Sequence, residues 1–385
     1  MTVLFWSSLG ALLYVYFGYP ALIWTISHLS KERSNSKTTL AETPKVTVLV
    51  PAFNEEKVIG GKIDNCLSLD YPTELLDILV ISDASEDRTD EIISTYTTAY
   101  PDRVRLLRMQ ERGGKTAGIN AAMQLVTSKI TVFTDANVIL DTDAIAEVVK
   151  ALSDERVGGV AGHLCYVNKS ASDSASGNGL YWRYEEFIKR CEGTKGSMMG
   201  ADGSIFAIKT SLYRPLPEHV MDDFCTSMGI VMRGHQFLFA PSIRAFEKSA
   251  EKSSEEFKRK VRIANRSHNS FLSLSPIGKL GAFDTWKFVS HKLARWYSFV
   301  FLAVCLGSNL GIALTESHPF YAYALIMQLA GYALAIAKSL FPALQLPLLN
   351  AWYYFVMANT ANAVGVSQSW MGKKTTVWQP AISGR

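Results

Sequence analysis

Short apolar runs that stop at polar residues form the clearest pattern along this chain. The runs cover residues 46–50, 78–81 and 130–134. The polar residues that follow them are Asn54, Asp83 and Asp135. Such runs are typical of buried parallel strands. Ligands bind beyond the carboxyl ends of strands in open α/β sheets, so the polar residues at the three strand ends predict one site. The carboxylates at two of these strand ends indicate that the ligand is a nucleotide or a metal ion.

Helix-like stretches alternate with strand-like runs through the middle of the chain. We predict strands at 46–50, 77–81, 103–108 and 130–134. We predict helices at 55–68, 87–99, 114–126 and 142–152. This alternation predicts an α/β fold with a mostly parallel sheet and helices on both of its faces.

Four long apolar segments lie outside this middle region. They are Val3 to Ile26, Trp296 to Leu314, Pro319 to Ala337 and Leu346 to Val366. Each is close to the ~20 residues that cross a bilayer as a helix. The first lacks a basic start and a small-residue cleavage motif, so it predicts a membrane anchor rather than a signal peptide. The fourth contains three asparagines and precedes two lysines, which favours a re-entrant or interfacial segment over a span.

Basic residues next to these segments predict the orientation in the membrane. They are Lys31, Arg33 and Lys37 after the first segment, and Lys287, Lys292 and Arg295 before the second. The positive-inside rule then places the middle of the chain in the cytosol of an integral protein of the cell membrane. The expected organisation is an anchor at 1–30, an α/β domain at 45–245, interfacial helices at 246–292, and a membrane region with a cytosolic tail at 293–385.

Composition narrows the classes of partner. The chain has 385 residues, of which 48% are hydrophobic, and its net charge is +4. This modest charge, without a basic stripe interleaved with aromatic residues, predicts no nucleic-acid partner. The five cysteines have no C-x-x-C spacing, so neither a disulfide framework nor a zinc site is expected.

One lysine is a candidate for phosphate binding. Gly113-Gly114-Lys115-Thr116 ends like a P-loop, but that motif needs a glycine where this chain has Met109. The P-loop interpretation therefore fails, and no G-x-G-x-x-G dinucleotide loop is present either. Lys115 still stands where a loop enters a predicted helix, so its ammonium could reach a diphosphate. A solvated lysine at a helix start is the alternative.

Acidic and basic clusters supply the other candidates. Asp135 and Asn137 follow a strand two positions apart, so they could hold Mg²⁺ or Mn²⁺ through oxygens, or form an ordinary turn. Asp222-Asp223 lies among apolar residues, where a raised pKa would suit a general base, and a helix start is the alternative. A row of arginines on one helix face could clamp phosphates or lipid headgroups. The row consists of Arg259, Arg262 and Arg266.

In their order and spacing these elements resemble the family 2 glycosyltransferases with a GT-A fold. The resemblance is strongest to the membrane-embedded branch related to hyaluronan, chitin, cellulose and poly-N-acetylglucosamine synthases, and it covers about residues 45–270. It rests on P-x-[FY]-N-E at Pro51–Glu55, D-x-S-x-D-x-T at Asp83–Thr89, G-K-x-x-x-x-N at Gly114–Asn120, a D-x-D-like Asp135–Asn137 and an E-D-like Asp222-Asp223.

The resemblance implies an inverting transfer of a sugar from a nucleotide sugar, with UDP as the expected nucleotide. The acceptor would be a hydroxyl of a lipid-linked molecule or a polysaccharide. Asp223 would act as the base beside Asp222, and Mg²⁺ or Mn²⁺ would lie at Asp135 and Asn137. The implied acceptor pocket is Gly200, Ala201, Asp202 and Gly203. The implied donor-binding residues are Pro51, Phe53, Asn54, Glu55, Asp83, Lys115, Asn120, Asp135, Arg259 and Arg262.

Two departures from the family pattern change these expectations. The second metal position is Asn137 rather than an aspartate. The Q-x-x-R-W element of the processive synthases falls on Arg259–Ile263, which keeps Arg262 but lacks the glutamine and the tryptophan. We therefore expect one or a few sugar additions rather than a long polymer. A sugar–polyprenyl-phosphate synthase, and a non-catalytic membrane scaffold with a degenerate transferase domain, are the alternatives.

Overall fold

The computed structural model describes residues 1–29, 43–167, 178–247, 253–315, 318–341 and 346–376. Lys31, Arg33 and Lys37, on which the predicted orientation partly depends, lie outside these ranges. Within the described ranges, an α/β region occupies the middle of the chain and apolar helices occupy both ends.

A mixed sheet forms the centre of the α/β region. Its strands are β1 (Val46–Ala52), β2 (Leu76–Ser82), β3 (Val104–Arg108), β4 (Ile130–Thr134), β5 (Ile139–Leu140), β6 (Val157–Tyr166), β7 (Ile205–Lys209) and β8 (Gln236–Glu247). Their order across the sheet is β3-β2-β1-β4-β7-β6-β8-β5. The four predicted strands pair in parallel as β3-β2-β1-β4, and β7 runs antiparallel to both of its neighbours, β4 and β6. The predicted α/β fold is therefore confirmed, with an antiparallel element beside the parallel half.

Helices connect these strands and flank the sheet. They are α1 (Thr2–Leu13), α2 (Tyr19–Leu29), α3 (Ile59–Leu67), α4 (Thr89–Ala99), α5 (Lys115–Met123), α6 (Ala144–Ala151), α7 (Asn178–Thr194), α8 (Asp222–Met232), α9 (Ser253–Leu274), α10 (Ala282–Phe288), α11 (Ala294–Trp296), α12 (Ser298–Thr315), α13 (Pro319–Leu340) and α14 (Pro347–Trp370). Helices α3 and α4 begin later than predicted, because the chain first turns through Asn54 and Ala84, whose φ angles of 53° and 55° are left-handed.

Side chains alternate across the sheet and fill two cores. Val48 and Val50 belong to the core on one face, together with residues of α3, α4 and α6. Leu49 and Phe133 belong to the core on the other face, together with residues of α5 and α8. This alternation follows from the two-residue period of a strand. The sheet is therefore covered on both faces, and polar residues meet at its edge, where the strands end.

Apolar helices at both ends of the chain are long enough to cross a membrane. Among the described residues there are three such helices, which cover Thr2–Leu29, Ser298–Thr315 and Pro319–Leu340. The first joins α1 and α2 through a π-helical turn at Tyr14–Gly18. These helices coincide with three of the four apolar segments found in the sequence.

The fourth apolar segment is α14, which connects the apolar helices to the α/β region. At one end, Trp352 Nε1 of α14 donates to the carbonyl oxygen of Gly331 in α13 at 2.7 Å. Further along, α14 packs against α9 so closely that a Cβ on Gly365 would lie 2.5 Å from the carbonyl oxygen of Val261. The two helix backbones therefore touch at this glycine.

Candidate active site

A lysine and three carboxylates meet where the strands end. Lys115 begins α5, Asp135 follows β4, and Asp222 and Asp223 begin α8. Lys115 Nζ lies 2.8 Å from Asp135 Oδ1 and 3.5 Å from Asp222 Oδ2. The structure thus brings together residues that are up to 108 positions apart, and it places a positive charge among them.

Gly203 closes this cluster on one side. A Cβ built on Gly203 would lie 3.1 Å from Lys115 Nζ, 3.2 Å from Asp223 Oδ2 and 3.9 Å from Asp135 Oδ2. Gly203, which was predicted for the acceptor pocket, therefore lies against the predicted base and the predicted metal ligand. Because Gly203 has no side chain, its backbone can lie close to the lysine and the carboxylates.

Burial and like charge change the proton affinity of this cluster. Asp223 is 8% exposed, and burial together with the neighbouring Asp222 carboxylate raises the pKa of Asp223 to about 7. The Lys115 ammonium opposes that rise. Burial alone would lower the pKa of Lys115, but the three carboxylates outweigh it and raise this pKa above its ordinary value. Lys115 therefore stays charged, while Asp223 can exchange a proton near neutral pH.

Asp83 fixes the loop that leads to Lys115. Its Oδ1 accepts the backbone N–H of Gly113 at 2.8 Å, and its Oδ2 accepts that of Gly114 at 2.9 Å. Gly114 has a φ of 86°, a left-handed conformation that glycine adopts without strain. Two backbone donors on one carboxylate hold the loop against β2, so Asp83 positions the entrance of α5.

The loop after β1 is braced against the loop after β2. Asn54 Oδ1 accepts the backbone N–H of Glu86 at 2.8 Å, and the backbone N–H of Glu55 donates to Thr89 Oγ1 at 2.8 Å. Glu55 itself is 4% exposed. The strand-end residues found in the sequence are therefore close together in the structure.

The loop between β3 and α5 contains an arginine that sequence reasoning missed. The guanidinium carbon of Arg112 is 3.6 Å from the centre of the Phe53 ring, a stacked cation–π contact. Pro51, which precedes this aromatic residue, is the sixth residue of β1. Arg112 comes immediately before Gly113-Gly114, the segment that ends like a P-loop. That position was the sequence signal that could have identified Arg112.

Asn120 lies in α5 but acts as a structural brace. Its Nδ2 donates to the carbonyl oxygen of Leu216 at 2.8 Å, and its Oδ1 accepts from Tyr213 Oη at 2.7 Å and from the backbone N–H of Leu216 at 3.0 Å. The structure therefore directs this predicted donor-binding side chain to the segment after β7, whereas Lys115, on the same helix, faces the carboxylates.

The three arginines of α9 have different environments. Arg259 Nε donates to Glu256 Oε2 at 2.8 Å, and Arg266 donates to Thr116 Oγ1 and to the carbonyl oxygen of Val220. Arg262 is the member attracted by Asp135, although burial and the other two arginines lower its pKa to about 10. Of the predicted row, Arg262 is therefore the arginine placed to face a ligand at Asp135.

Asp135 and Asn137 offer oxygen donors to a divalent ion. The Asp135 side chain is 41% exposed, and Asn137 Nδ2 donates to Glu247 Oε1 at 2.9 Å, which leaves the Asn137 carbonyl directed elsewhere. The described residues contain no cluster of three or more His, Cys, Asp or Glu side chains able to hold a metal. The donor set fits a hard ion that takes its other ligands from substrate oxygens and water.

A fully buried lysine supports this turn from behind. Lys62 Nζ donates to the carbonyl oxygen of Val138 at 2.6 Å and to Thr134 Oγ1 at 3.2 Å. These two contacts bracket the segment that carries Asp135 and Asn137. Sequence reasoning missed Lys62, because it falls inside α3 and carries no motif.

The remaining residues of the predicted acceptor pocket are held by their neighbours. Gly200 has a φ of 89°, and a Cβ there would lie 2.6 Å from the Phe224 ring. The backbone N–H of Ala201 donates to Ser227 Oγ at 2.9 Å. Asp202 forms an ion pair with Lys189 of α7. This segment is thus tied to α8 and α7 before it reaches Gly203.

Part of the chain is similar to known proteins. Residues 47–214 match the family model described as Glycosyl transferase family 2. A beta-monoglucosyldiacylglycerol synthase from Trichormus variabilis is 32% identical over 133 residues, which are 34% of this chain and 28% of that protein. A dolichyl-phosphate beta-glucosyltransferase from Drosophila melanogaster is 29% identical over 153 residues, which are 37% of this chain and 45% of that protein. The matched region therefore spans less than half the length of either relative.

A solved structure shows the same overall fold. A mannosyltransferase from Pyrobaculum calidifontis in complex with GDP-Man and Mn²⁺ aligns with a TM-score of 0.71 at 22% identity. The alignment covers 94% of this chain and 99% of that one, so it includes apolar helices as well as the α/β region.

Proposed function

We propose that the chain, whose residues 47–214 match the glycosyltransferase family 2 model, transfers a hexose or N-acetylhexosamine from a nucleotide sugar to a lipid-linked acceptor. The observation that carries the proposal is the buried Asp223 carboxylate beside Lys115 and Gly203. Its pKa is raised to about 7, which is the range that suits a general base at neutral pH.

The donor site follows from the residues around the strand ends. The nucleotide, which we propose is UDP, would lie near Phe53 and Arg112, where an aromatic ring and a guanidinium plane can contact a base. Its diphosphate would lie between Lys115 and Arg262, the two cations that face Asp135. Both cations would stabilise the negative charge that develops on the leaving diphosphate.

Asp223 would accept the proton of the attacking acceptor oxygen. That oxygen would form a bond to the anomeric carbon from the face opposite the leaving group, and the bond to the diphosphate would break with inversion. Gly203 lies against both Asp223 Oδ2 and Lys115 Nζ, so the proposed base and a cation that would contact the leaving group line the same site. Positioning of these groups would supply much of the rate.

A divalent cation at Asp135 and Asn137, Mg²⁺ or Mn²⁺, would neutralise charge on the diphosphate when bound. The support is the exposed carboxylate of Asp135, and the amide of Asn137, which Glu247 holds through its nitrogen and not through its oxygen. In the apo protein, Lys115 already neutralises part of the acidic cluster.

The acceptor is proposed from the membrane helices and the relatives. Three described helices are apolar enough to cross a bilayer, and the names of two relatives contain a glucosyl group and a lipid, diacylglycerol in one and dolichyl phosphate in the other. We place the α/β domain on the cytosolic side of the cell membrane. The Arg259–Ile263 segment, without the glutamine and tryptophan of the processive synthases, supports a single or short transfer.

A donor screen tests this function. Membranes containing the chain would be offered nucleotide sugars one at a time, and lipids would be analysed by mass spectrometry for an added sugar. We expect one sugar to appear on a lipid fraction and to disappear in the Asp223→Asn variant, which should still bind UDP. Asp102→Asn, which changes an exposed aspartate before β3, is the matched control. Turnover by Asp223→Asn at the rate of the unaltered chain would overturn the base assignment.

A further inference from the structure

An apolar groove of about 600 Å³ runs between the apolar helices. It lies among α1, the π-helical turn, α12, α13 and the start of α14. Representative lining residues are Leu9, Leu302, Ala324 and Trp352. The volume falls within the ~300–1,000 Å³ typical of ligand pockets. Because three of these helices belong to candidate membrane spans, the groove is suited to a hydrocarbon chain.

Tyr16 marks the polar end of this groove. The Tyr16 ring lines the groove and packs edge-on against Phe355, with ring centres 5.1 Å apart. The carbonyl oxygen of Tyr16 accepts from Tyr184 Oη at 2.8 Å, and its hydroxyl is 3.5 Å from Asn359 Nδ2. Asn359 is 4% exposed, and its Oδ1 has no hydrogen-bond partner within the described ranges. A polar group therefore remains unsatisfied where the groove ends.

Beyond Tyr16, the cations of Lys260 and Arg295 lie among the rings of Tyr181 and Tyr184. We call these four residues the basic–aromatic junction. The guanidinium carbon of Arg295 is 5.2 Å from the Tyr181 ring centre and 5.3 Å from that of Tyr184. Lys260 Nζ is 4.9 Å from the same Tyr181 ring. One tyrosine ring thus contacts a cation from α9 and another from α11.

This junction carries two positive charges and a hydrogen-bond donor that has no partner within the described ranges. Arg295 is 7% exposed, and Glu185 accepts from its Nη1 at 2.7 Å, but its Nη2 has no hydrogen-bond partner among the residues that the structure describes. Burial, with added repulsion from Arg259 and Arg295, lowers the pKa of Lys260 to about 8. Glu256 opposes that shift from 3.8 Å. A buried cation with an unused donor is the environment that an anionic ligand would complete.

We propose that the groove and the basic–aromatic junction form one binding site for the acceptor, a long-chain lipid monophosphate. Its hydrocarbon chain lies in the groove, and its phosphate lies against Lys260 and Arg295. A lipid alcohol would bring no negative charge to Lys260 and Arg295, so the site would distinguish the two lipids by charge as well as by chain. Lys260 also belongs to α9, the helix whose Arg262 is attracted by Asp135, so one helix contributes cations to both sites.

This inference rests on the proposed function for the step that follows binding. A phosphate oxygen attacks the anomeric carbon, the new bond is a glycosyl phosphate ester, and the bonding pair of the old ester leaves with the nucleoside diphosphate. Any proton on the attacking phosphate passes to Asp223. No oxidant, reductant or further reactant is needed.

The test is a binding measurement that contains no nucleotide sugar. The full-length chain in nanodiscs would be titrated with geranylgeranyl monophosphate and with geranylgeraniol, which share one hydrocarbon chain, and complexes would be counted by native mass spectrometry. We expect the phosphate to bind about tenfold more tightly than the alcohol, since hydrogen bonds to charged groups are the stronger kind. Equal affinity of the unaltered chain for both lipids would overturn the inference, whatever the variants do.

Paired variants separate the two parts of the site. Lys260→Met should remove most of the preference for phosphate, while Lys258→Met, an exposed lysine on the same helix, should retain it. Ala324→Trp should fill the groove and weaken the binding of both lipids. Ala322→Trp, on an exposed face of α13, should weaken the binding of neither. Equal losses in the members of either pair would contradict the corresponding contact.

Three further outcomes separate the possible failures of these proposals. If phosphatidylglycerol competes as well as geranylgeranyl monophosphate does, the site holds ordinary anionic bilayer lipid, and the acceptor assignment is wrong. If binding is as expected but the donor screen finds no transfer, the proposed function fails while the lipid site stands. If transfer occurs only to neutral lipids, the proposed function stands and this inference fails.

Discussion

Lys115 Nζ, at the start of α5, and Asp135 Oδ1, just after the end of β4, form a 2.8 Å ion pair. The same ammonium is 3.5 Å from Asp222, so one lysine neutralises part of three neighbouring carboxylates. The protein thus carries a fixed positive charge in the site before any diphosphate arrives. A diphosphate that enters would find this charge already oriented, which reduces the reorganisation that binding requires.

The first prediction concerns Lys115→Met. Removal of the ammonium takes away the charge that restrains the pKa of Asp223, so that pKa should rise by about one unit. The rising limb of kcat/KM against pH should move to higher pH by that amount, and the rate at pH 7 should fall on the order of 100-fold. The measurement is a pH profile of sugar transfer. Lys129→Met, at an exposed lysine before β4, is the control, and an unshifted limb in Lys115→Met would contradict the argument.

The second prediction concerns the pH dependence that Asp223 gives to the unaltered chain. Its folded pKa of about 7 exceeds the ordinary value of 3.8, so the folded state holds this proton more tightly than the unfolded state does. The stability that this proton affords is therefore present below about pH 4 and is lost as pH rises through 7. We expect kcat/KM to rise towards pH 7 while the melting temperature falls.

Asp223→Asn separates these two effects. The variant should melt at a higher temperature than the unaltered chain at pH 8 and at a similar temperature at pH 4, and the gain at pH 8 should be on the order of 4 kcal/mol at most. Thermal unfolding at the two pH values provides the comparison. An equal difference at both values would show that the effect is not the titration of Asp223.

The third prediction concerns Gly203→Ala. The new methyl group would lie 3.1 Å from Lys115 Nζ and 3.2 Å from Asp223 Oδ2, which are the far ends of flexible side chains and can shift. The protein should therefore fold normally, but the displaced groups should reduce kcat about 10- to 100-fold. Gly61→Ala, where no heavy atom lies within 4 Å of the new Cβ, is the control. Full activity of Gly203→Ala would show that transfer does not need the close approach of the Gly203 backbone to Lys115 and Asp223.

The fourth prediction concerns the divalent ion. EDTA should suppress transfer, and added Mn²⁺ or Mg²⁺ should restore it, because Asp135 and Asn137 supply oxygens to a hard cation. Asn137→Asp should lower the metal concentration needed for half-maximal activity. In EDTA the same variant should melt at a lower temperature, since a second carboxylate would then face Glu247 at the place of the present 2.9 Å hydrogen bond. Full transfer in EDTA would remove the ion from the mechanism.

The parallel half of the sheet was predictable because each strand is a short apolar run with its own polar end. β1, β2 and β4 carry this signal, and the residues after them converge as expected. β6 and β8 were not predicted. β6 contains glycines at 158, 159 and 162, where a side chain would collide with Phe237 or Ile243, among others. A residue selected for close contact with a distant strand gives no periodic signal in a single sequence.

The site was predictable only in part for a related reason. Motif spacing predicted Asp135 and Asp223, because residues near a strand end or a helix start are fixed by local chain geometry. Lys62 and Arg112 act through contacts with other segments, namely Val138 and Phe53. Asn120 matched a motif, but Tyr213 and Leu216 engage its amide, and nothing near it in the sequence indicates those partners.

The backbone contact at Gly365 connects the apolar helices, which suit a bilayer, to the α/β region, which suits water. Since no side-chain layer separates α14 from α9 there, a tilt of α14 is transmitted to the turn of α9 that bears Arg262. Trp352 in turn fastens α14 to α13, one of the candidate spans. The thickness of the surrounding bilayer, which sets the tilt of such spans, would thus set the placement of Arg262. The proposed transfer would then run at different rates in thin and thick membranes of the same chemistry.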